Sequence, residues 1–150
     1  MGRRARFAGP GDVLVMDDTY TANPPSLAVA LGELTGGAAC RGGRRVAVIG
    51  DMGELGDETL AAHRAAGALA AELGVDQLWA VGAQAQVVAE GALAGGLDAS
   101  RVHAERDWEP AAESLAKQVR SGDRVLVKGS RSMRMERVVD RIVDAVRGSH

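Results

Sequence analysis

The chain is poor in the residues that most often mark a chemistry. It holds one cysteine, Cys40, and three histidines in 150 residues. A single cysteine cannot close an intramolecular disulfide, and three scattered histidines offer no metal-ligand spacing. This usage fits a reducing, cytoplasmic setting. Aromatics make up 3% of the chain, too few for a platform on which nucleic-acid bases stack. Neither sign of charge prevails: the formal net charge is −2, with acids and bases interspersed, so no basic stripe points to nucleic acid. No apolar run approaches the roughly 20 residues of a membrane helix, and the first residues do not read as a signal peptide. Also missing are G-x-x-x-x-G-K-[ST], a nucleophile elbow and a Ser/His/Asp arrangement.

What is present is an alternation of short β-type runs with helical stretches. The length fits one domain, whose core volume must come from Val, Leu, Ile, Met and Ala. Residues 5–8 and 13–16 flank turn chemistry at Gly9-Pro10-Gly11-Asp12 and predict an antiparallel hairpin. Pro25 and Ser26 suit a helix start, Leu27, Leu31 and Leu34 give its stripe, and Gly36-Gly37 ends it. Residues 45–49 are nearly continuously apolar, as in a strand covered on both faces. A long helix is expected next, with Leu60, Ala61, Ala65, Leu69 and Leu73 on one side and Gly74 as its cap. Strands follow at 77–81, 101–104 (weak, at an edge) and 124–127, and helices at 85–93, 109–119 and 133–146. Such alternation predicts right-handed βαβ crossovers. The expected fold class is therefore α/β, a Rossmann-like three-layer sandwich whose mostly parallel sheet carries an N-terminal antiparallel strand.

Three polar loops each follow a strand. They read Asp17-Asp18-Thr19-Tyr20-Thr21-Ala22-Asn23-Pro24, Gly50-Asp51-Met52-Gly53-Glu54-Leu55-Gly56, and Lys128-Gly129-Ser130-Arg131-Ser132-Met133. In a parallel sheet such loops fall along one edge, where ligands bind. Two adjacent acids cannot both cap the next helix, so at least one of Asp17 and Asp18 should face the site. The glycine spacing of the second loop lets backbone approach a ligand, without being a dinucleotide fingerprint. Lys128, Gly129, Ser130 and Arg131 entering a helix make an anion site of main-chain N–H groups, helix dipole and two cations. His63 reads as a packed or surface histidine and His103 as edge-strand surface. Trp79 and Trp108 read as packing, and Met133, Met135 and Val139 as core-facing. Binding groups without a phosphate loop, metal set or nucleophile look like half of an active site.

These three motifs, with His63 downstream of the second and Arg134-Met135-Glu136 closing the third, resemble the C-terminal domain of the Mur ligases over essentially the whole chain. The first and last motifs look like the branch of that family that adds D-alanyl-D-alanine to UDP-N-acetylmuramoyl-tripeptide in peptidoglycan synthesis. The resemblance implies a three-domain peptide ligase with residues 1–147 as its third domain, residues 148–150 being read as a tag remnant. ATP with Mg²⁺ would be held mainly by the central domain. ATP would phosphorylate the tripeptide carboxylate, and the dipeptide amine would attack the acyl phosphate. By the same resemblance this domain supplies no catalytic residue, and the absent phosphate loop predicts no activity for it alone; no metal ligand is expected from its residue spacing, and nucleic acid and membrane are not expected partners.

Carried over by motif, Asp18 would contact the ATP ribose and Asn23 the adenine or ribose, while Arg3 stands where the family has an arginine before the first strand. Lys128, Ser130 and Arg131 would line the dipeptide site, with Asp51 and Glu54 on the facing loop. The family usually has asparagine where Thr21 stands. The charges suit a zwitterion: a carboxylate for Lys128 or Arg131, an ammonium for Asp51 or Glu54. Two other classes compete: a phospho-accepting receiver module, which also has an acidic pair after its first strand and a lysine after its last, and a stand-alone nucleotide-binding Rossmann-like domain.

Overall fold

The computed structural model describes residues 13–19, 22–36 and 43–148, and the backbone of 4–8. Arg3, the turn expected at 9–12, Tyr20, Thr21, Gly37, Cys40 and the last two residues lie outside the described residues.

The strands are β1 (Arg4–Ala8), β2 (Val13–Asp18), β3 (Arg45–Gly50), β4 (Gln77–Val81), β5 (Val102–Glu105) and β6 (Arg124–Lys128). The helices are α1 (Pro24–Thr35), α2 (Thr59–Leu73), α3 (Ala85–Ala94), α4 (Trp108–Gln118) and α5 (Glu136–Arg147). The sheet runs β1-β2-β6-β3-β4-β5. β1 pairs antiparallel with β2, and every other pairing is parallel. The α/β sandwich with its antiparallel first strand is therefore as the alternation predicted. The element bounds differ from the expected ones by a few residues at most, the largest shift being the last helix, where a short 3₁₀ turn, Arg131–Met133, precedes α5.

Period-two alternation sends each strand's side chains to two cores. Val46 and Val48 join Val125, Val127 and the inner faces of α4 and α5. Ala47 and Ile49 join Leu78, Leu126 and the inner faces of α1, α2 and α3. Both faces are thus covered, which is why the central strands are apolar without alternation in sequence.

The expected buried face of α2 is not the observed one. Leu60 is 55% exposed, and the buried residues are His63, Ala66, Gly67 and Ala70. The reason is close packing on α3. A Cβ added to Gly67 would lie 1.9 Å from the Val88 carbonyl oxygen, and one on Gly91 would lie 1.9 Å from that of Arg64. Backbone meets backbone there, so the seam takes small residues, while Leu60, in the first turn of α2, stands exposed. Gly74, at φ 85°, caps α2 in the left-handed region as expected.

The edge strand is better buttressed than its sequence suggested. His103 stacks on Trp79 with ring centroids 4.0 Å apart and bonds Gln77 at 3.1 Å. Burial lowers the His103 pKa, and the nearby Glu105 works against that shift. Trp108 is covered by the Arg137 guanidinium, 4.5 Å from the ring centroid. Met135 and Val139 are buried as expected.

Candidate functional site

β6 is inserted between β2 and β3, so the three polar loops leave neighbouring strand ends. Two strand-end glycines let them converge. A Cβ on Gly129 would lie 2.7 Å from Met135 Cγ and 3.3 Å from Gly50 Cα, and one on Gly50 would lie 3.2 Å from Met135. β3 and β6 therefore end flush, with Met135 packed against both.

The first loop divides its two acids. Asp17 Oδ1 accepts hydrogen bonds from the Thr19 hydroxyl (2.8 Å) and N–H (3.3 Å), closing a local turn. Asp18 has the parity of Met16, and Lys128 that of Leu126, so both point to the α1–α3 face; the parallel register sets them opposite each other. Lys128 Nζ lies 2.9 Å from Asp18 Oδ2, with the lysine side chain 1% and the aspartate side chain 8% exposed. Neither acid caps α1. That is done by Asn23, whose Oδ1 accepts from the Ser26 N–H at 2.9 Å while the Asn23 N–H donates to Ser26 Oγ at 3.2 Å.

In the second loop the two carboxylate oxygens of Asp51 accept the N–H groups of Ala83 and Gln84, each at 2.9 Å, at the start of α3. The Asp51 carbonyl accepts the Ser130 N–H at 2.9 Å, tying the second loop to the third. The Met52 N–H donates to Nε2 of His63 at 2.9 Å, and Nδ1 of His63 lies 2.7 Å from the Thr59 carbonyl. A carbonyl can only accept and an N–H only donate, so this imidazole is neutral with its proton on Nδ1. Glu54, exposed, follows at φ 59° in the left-handed region. The third loop carries Ser130, its Oγ 3.2 Å from that of Ser132, then exposed Arg131, then Arg134 at φ 52°. Arg137 fixes the end of this loop by donating to the carbonyls of Met133 and Arg134, each at 3.0 Å.

A cleft of about 950 Å³ opens between the loops. Ala22 and Asn23 line it from the first, Gly53, Glu54 and Leu55 from the second, and Ser130, Arg131, Ser132 and Arg134 from the third. Of the residues singled out in the sequence, Asn23, Glu54, Ser130 and Arg131 thus share one cavity. Asp18 and Lys128 are instead joined to each other in the strand ends, Asp51 turns to α3, and Arg3 lies outside the described residues. Arg134 and Ser132 were not foreseen as cleft residues, although both stand within the third motif, three and one residues past Arg131. Among the described residues no group of three or more His, Cys, Asp or Glu side chains gathers as metal ligands do. Among them, too, no helix is long and apolar enough to cross a membrane.

The family model for the Mur ligase glutamate ligase domain matches residues 2–131. A UDP-N-acetylmuramoyl-tripeptide–D-alanyl-D-alanine ligase of Haemophilus influenzae is 33% identical over 138 residues, covering 91% of this chain and 28% of the relative. A solved MurF structure from Acinetobacter baumannii superposes with a TM-score of 0.78 at 33% identity, over 93% of this chain and 30% of that one. A MurF ligase from Thermotoga maritima, solved in complex with ADP, gives 0.71 at 26% identity, over 97% and 31%. The chain therefore spans about three-tenths of the length of the relatives it matches. With motif, fold and cleft in agreement along its length, the chain belongs to the Mur ligase family, as its glutamate ligase domain.

Proposed function

We propose that this chain is the third, C-terminal domain of an ATP-dependent ligase that joins D-alanyl-D-alanine to UDP-N-acetylmuramoyl-tripeptide, and that its cleft receives the incoming dipeptide. The observation that carries this reading is the cleft's charge: an acid from the second loop and two arginines from the third line one cavity, in a chain whose relatives bear that ligase's name. A zwitterionic dipeptide offers its carboxylate to Arg131 or Arg134, with Ser130 beside them, and its ammonium to Glu54. Each charge-assisted hydrogen bond of this kind contributes roughly 1.5–3 kcal/mol. Holding the amine in line with the acyl phosphate is the catalytic service of the domain. Closure over a central domain excludes the water that would hydrolyse that phosphate.

The nucleotide side of the reading rests on Asp18 and Asn23, with Arg3 as a further candidate. The Thermotoga relative in complex with ADP supports a nucleotide role for the fold. Lys128, committed to Asp18, acts in this scheme by fixing the Asp18 carboxylate rather than by touching the dipeptide. Asp51 likewise acts by fixing the second loop. Among the described residues no acids gather as metal ligands do, and in this scheme Mg²⁺ would be held with ATP mainly by the central domain. A cytoplasmic setting fits this scheme, as it fits the single cysteine of the chain.

The test is kinetic, in the intact enzyme that carries this domain. Arg131→Ala and Glu54→Gln should each raise the KM for D-alanyl-D-alanine about 10-fold or more while moving that for ATP less than twofold. A shift confined to the ATP constant would remove the cleft from the acceptor site.

A further inference from the structure

We propose that His63 is a positioning residue for the cleft, holding the second loop in the shape that presents Glu54; the proposal rests on the acceptor reading given above. His63 is fully buried in α2, and both ring nitrogens are committed. Nε2 takes the Met52 N–H and the Nδ1 proton goes to the Thr59 carbonyl. The ring therefore has no nitrogen left for a substrate or a metal, and its effect on chemistry passes through the loop. Met52 is itself buried, and the partner of its N–H is the imidazole.

The turn is held at three successive points. The Asp51 carboxylate is fixed on the N–H groups of Ala83 and Gln84 just before α3, the Asp51 carbonyl on the Ser130 N–H, and the Met52 N–H on His63. Two residues later Glu54 adopts a left-handed backbone that a side-chain-bearing residue keeps only when its surroundings enforce it. Of the three points, His63 is the one supplied by a side chain outside the three loops. An apolar residue of similar volume would fill the space and leave the Met52 N–H unmatched. A merely space-filling role for His63 is therefore distinguishable from a hydrogen-bonding one.

Three variants separate the roles: His63→Leu keeps volume without polar atoms, His63→Gln can place an acceptor near the Nε2 position, and His63→Asn can place polar atoms only near Nδ1. In the 150-residue chain, amide hydrogen exchange at Met52, Gly53 and Glu54 should accelerate at least 10-fold in His63→Leu and His63→Asn relative to the β3 and β6 amides. It should return toward the parent rate in His63→Gln. In the intact ligase, His63→Leu should raise the KM for D-alanyl-D-alanine about 10-fold with the ATP constant within twofold, and His63→Gln should recover most of that loss. The proposal is overturned if exchange in the loop is unchanged relative to the strands, or if both Michaelis constants move together in all variants. Should His63→Leu not fold, the comparison of Gln with Asn decides the same point. If the parent enzyme shows no dependence on D-alanyl-D-alanine, the acceptor reading fails, and the exchange data still judge the brace.

Discussion

Replacing Lys128 by methionine tests the most consequential difference between the chain as read and the chain as folded. The sequence placed Lys128 in a ligand site, whereas the structure seals it against Asp18 at 2.9 Å with 1% and 8% of the two side chains exposed. At that depth the lysine cannot be removed without leaving a carboxylate largely cut off from water. Breaking a buried pair from one side costs about 3–5 kcal/mol. In a domain of this size that corresponds to a fall in Tm of roughly 6–20 °C, at about 2–4 °C per kcal/mol. The companion change Asp18→Asn, made together with Lys128→Met, removes both charges and should recover most of the loss, because replacing the whole pair is often close to neutral. Urea unfolding of the parent, the two single variants and the double variant at pH 7 gives the complete cycle. A Lys128→Met loss below about 1 kcal/mol, or a double variant that loses the sum of the singles, would refute the argument that this pair is desolvated and mutually dependent.

Two helix glycines offer a paired test with opposite signs: Gly91→Ala, in the α2–α3 seam, should cost about 3 kcal/mol or more, because its Cβ would sit 1.9 Å from a main-chain oxygen that no rotamer change can move. Gly32→Ala in α1, where nothing lies within 4 Å of the added Cβ, should stabilise by about 0.5–1 kcal/mol through helix propensity, and thermal melts of the two variants check both. His103 predicts a pH dependence: burial lowers its folded-state pKa below the ordinary 6.5, so below that pH the unfolded chain takes up the proton first and stability falls as acid is added. His103→Phe, which keeps a ring over Trp79, should flatten the urea midpoint between pH 7 and pH 5.5.

Most of the fold was legible because its signals are local. Residues 45–49 and 124–127 announce central strands by being apolar throughout, and Gly74 announces a helix end by a conformation few other residues adopt. What was not legible depends on which elements become neighbours. Nothing in the sequence says that β6 inserts between β2 and β3, and only that insertion sets Lys128 beside an aspartate 110 residues away. A lysine after an apolar strand therefore read as a cation waiting for a ligand. The partners of Asp51 were hidden for the same reason, since the two N–H groups bonded to it lie 32 and 33 residues further on. The face of α2 was misjudged because the leucine stripe competes with a glycine seam that becomes visible only when Gly67 and Gly91 are placed together. Asn23, Glu54, Ser130 and Arg131 line one cleft because strand-end loops of a parallel sheet must share an edge, whatever the strand order.

The same geometry weighs on the receiver alternative. A phospho-accepting site needs an aspartate with a reactive oxygen, other acids close by to gather a divalent cation, and a lysine able to reach the phosphoryl group. Asp51 meets none of these conditions: both its oxygens are bonded to main-chain N–H groups. The first-loop acids are held by a local turn and by Lys128, and the described acids do not gather as metal ligands. Phosphorylating Asp51 would uncover the N–H groups of Ala83 and Gln84 and crowd Gly82, whose added Cβ would already lie 2.6 Å from the carboxylate. Incubation with a small acyl phosphate and Mg²⁺ should therefore leave the chain unmodified by intact mass. A phosphoryl adduct mapped to Asp51 would mean that this carboxylate leaves α3 readily, and would return the second loop to the catalytic role from which its hydrogen bonds exclude it.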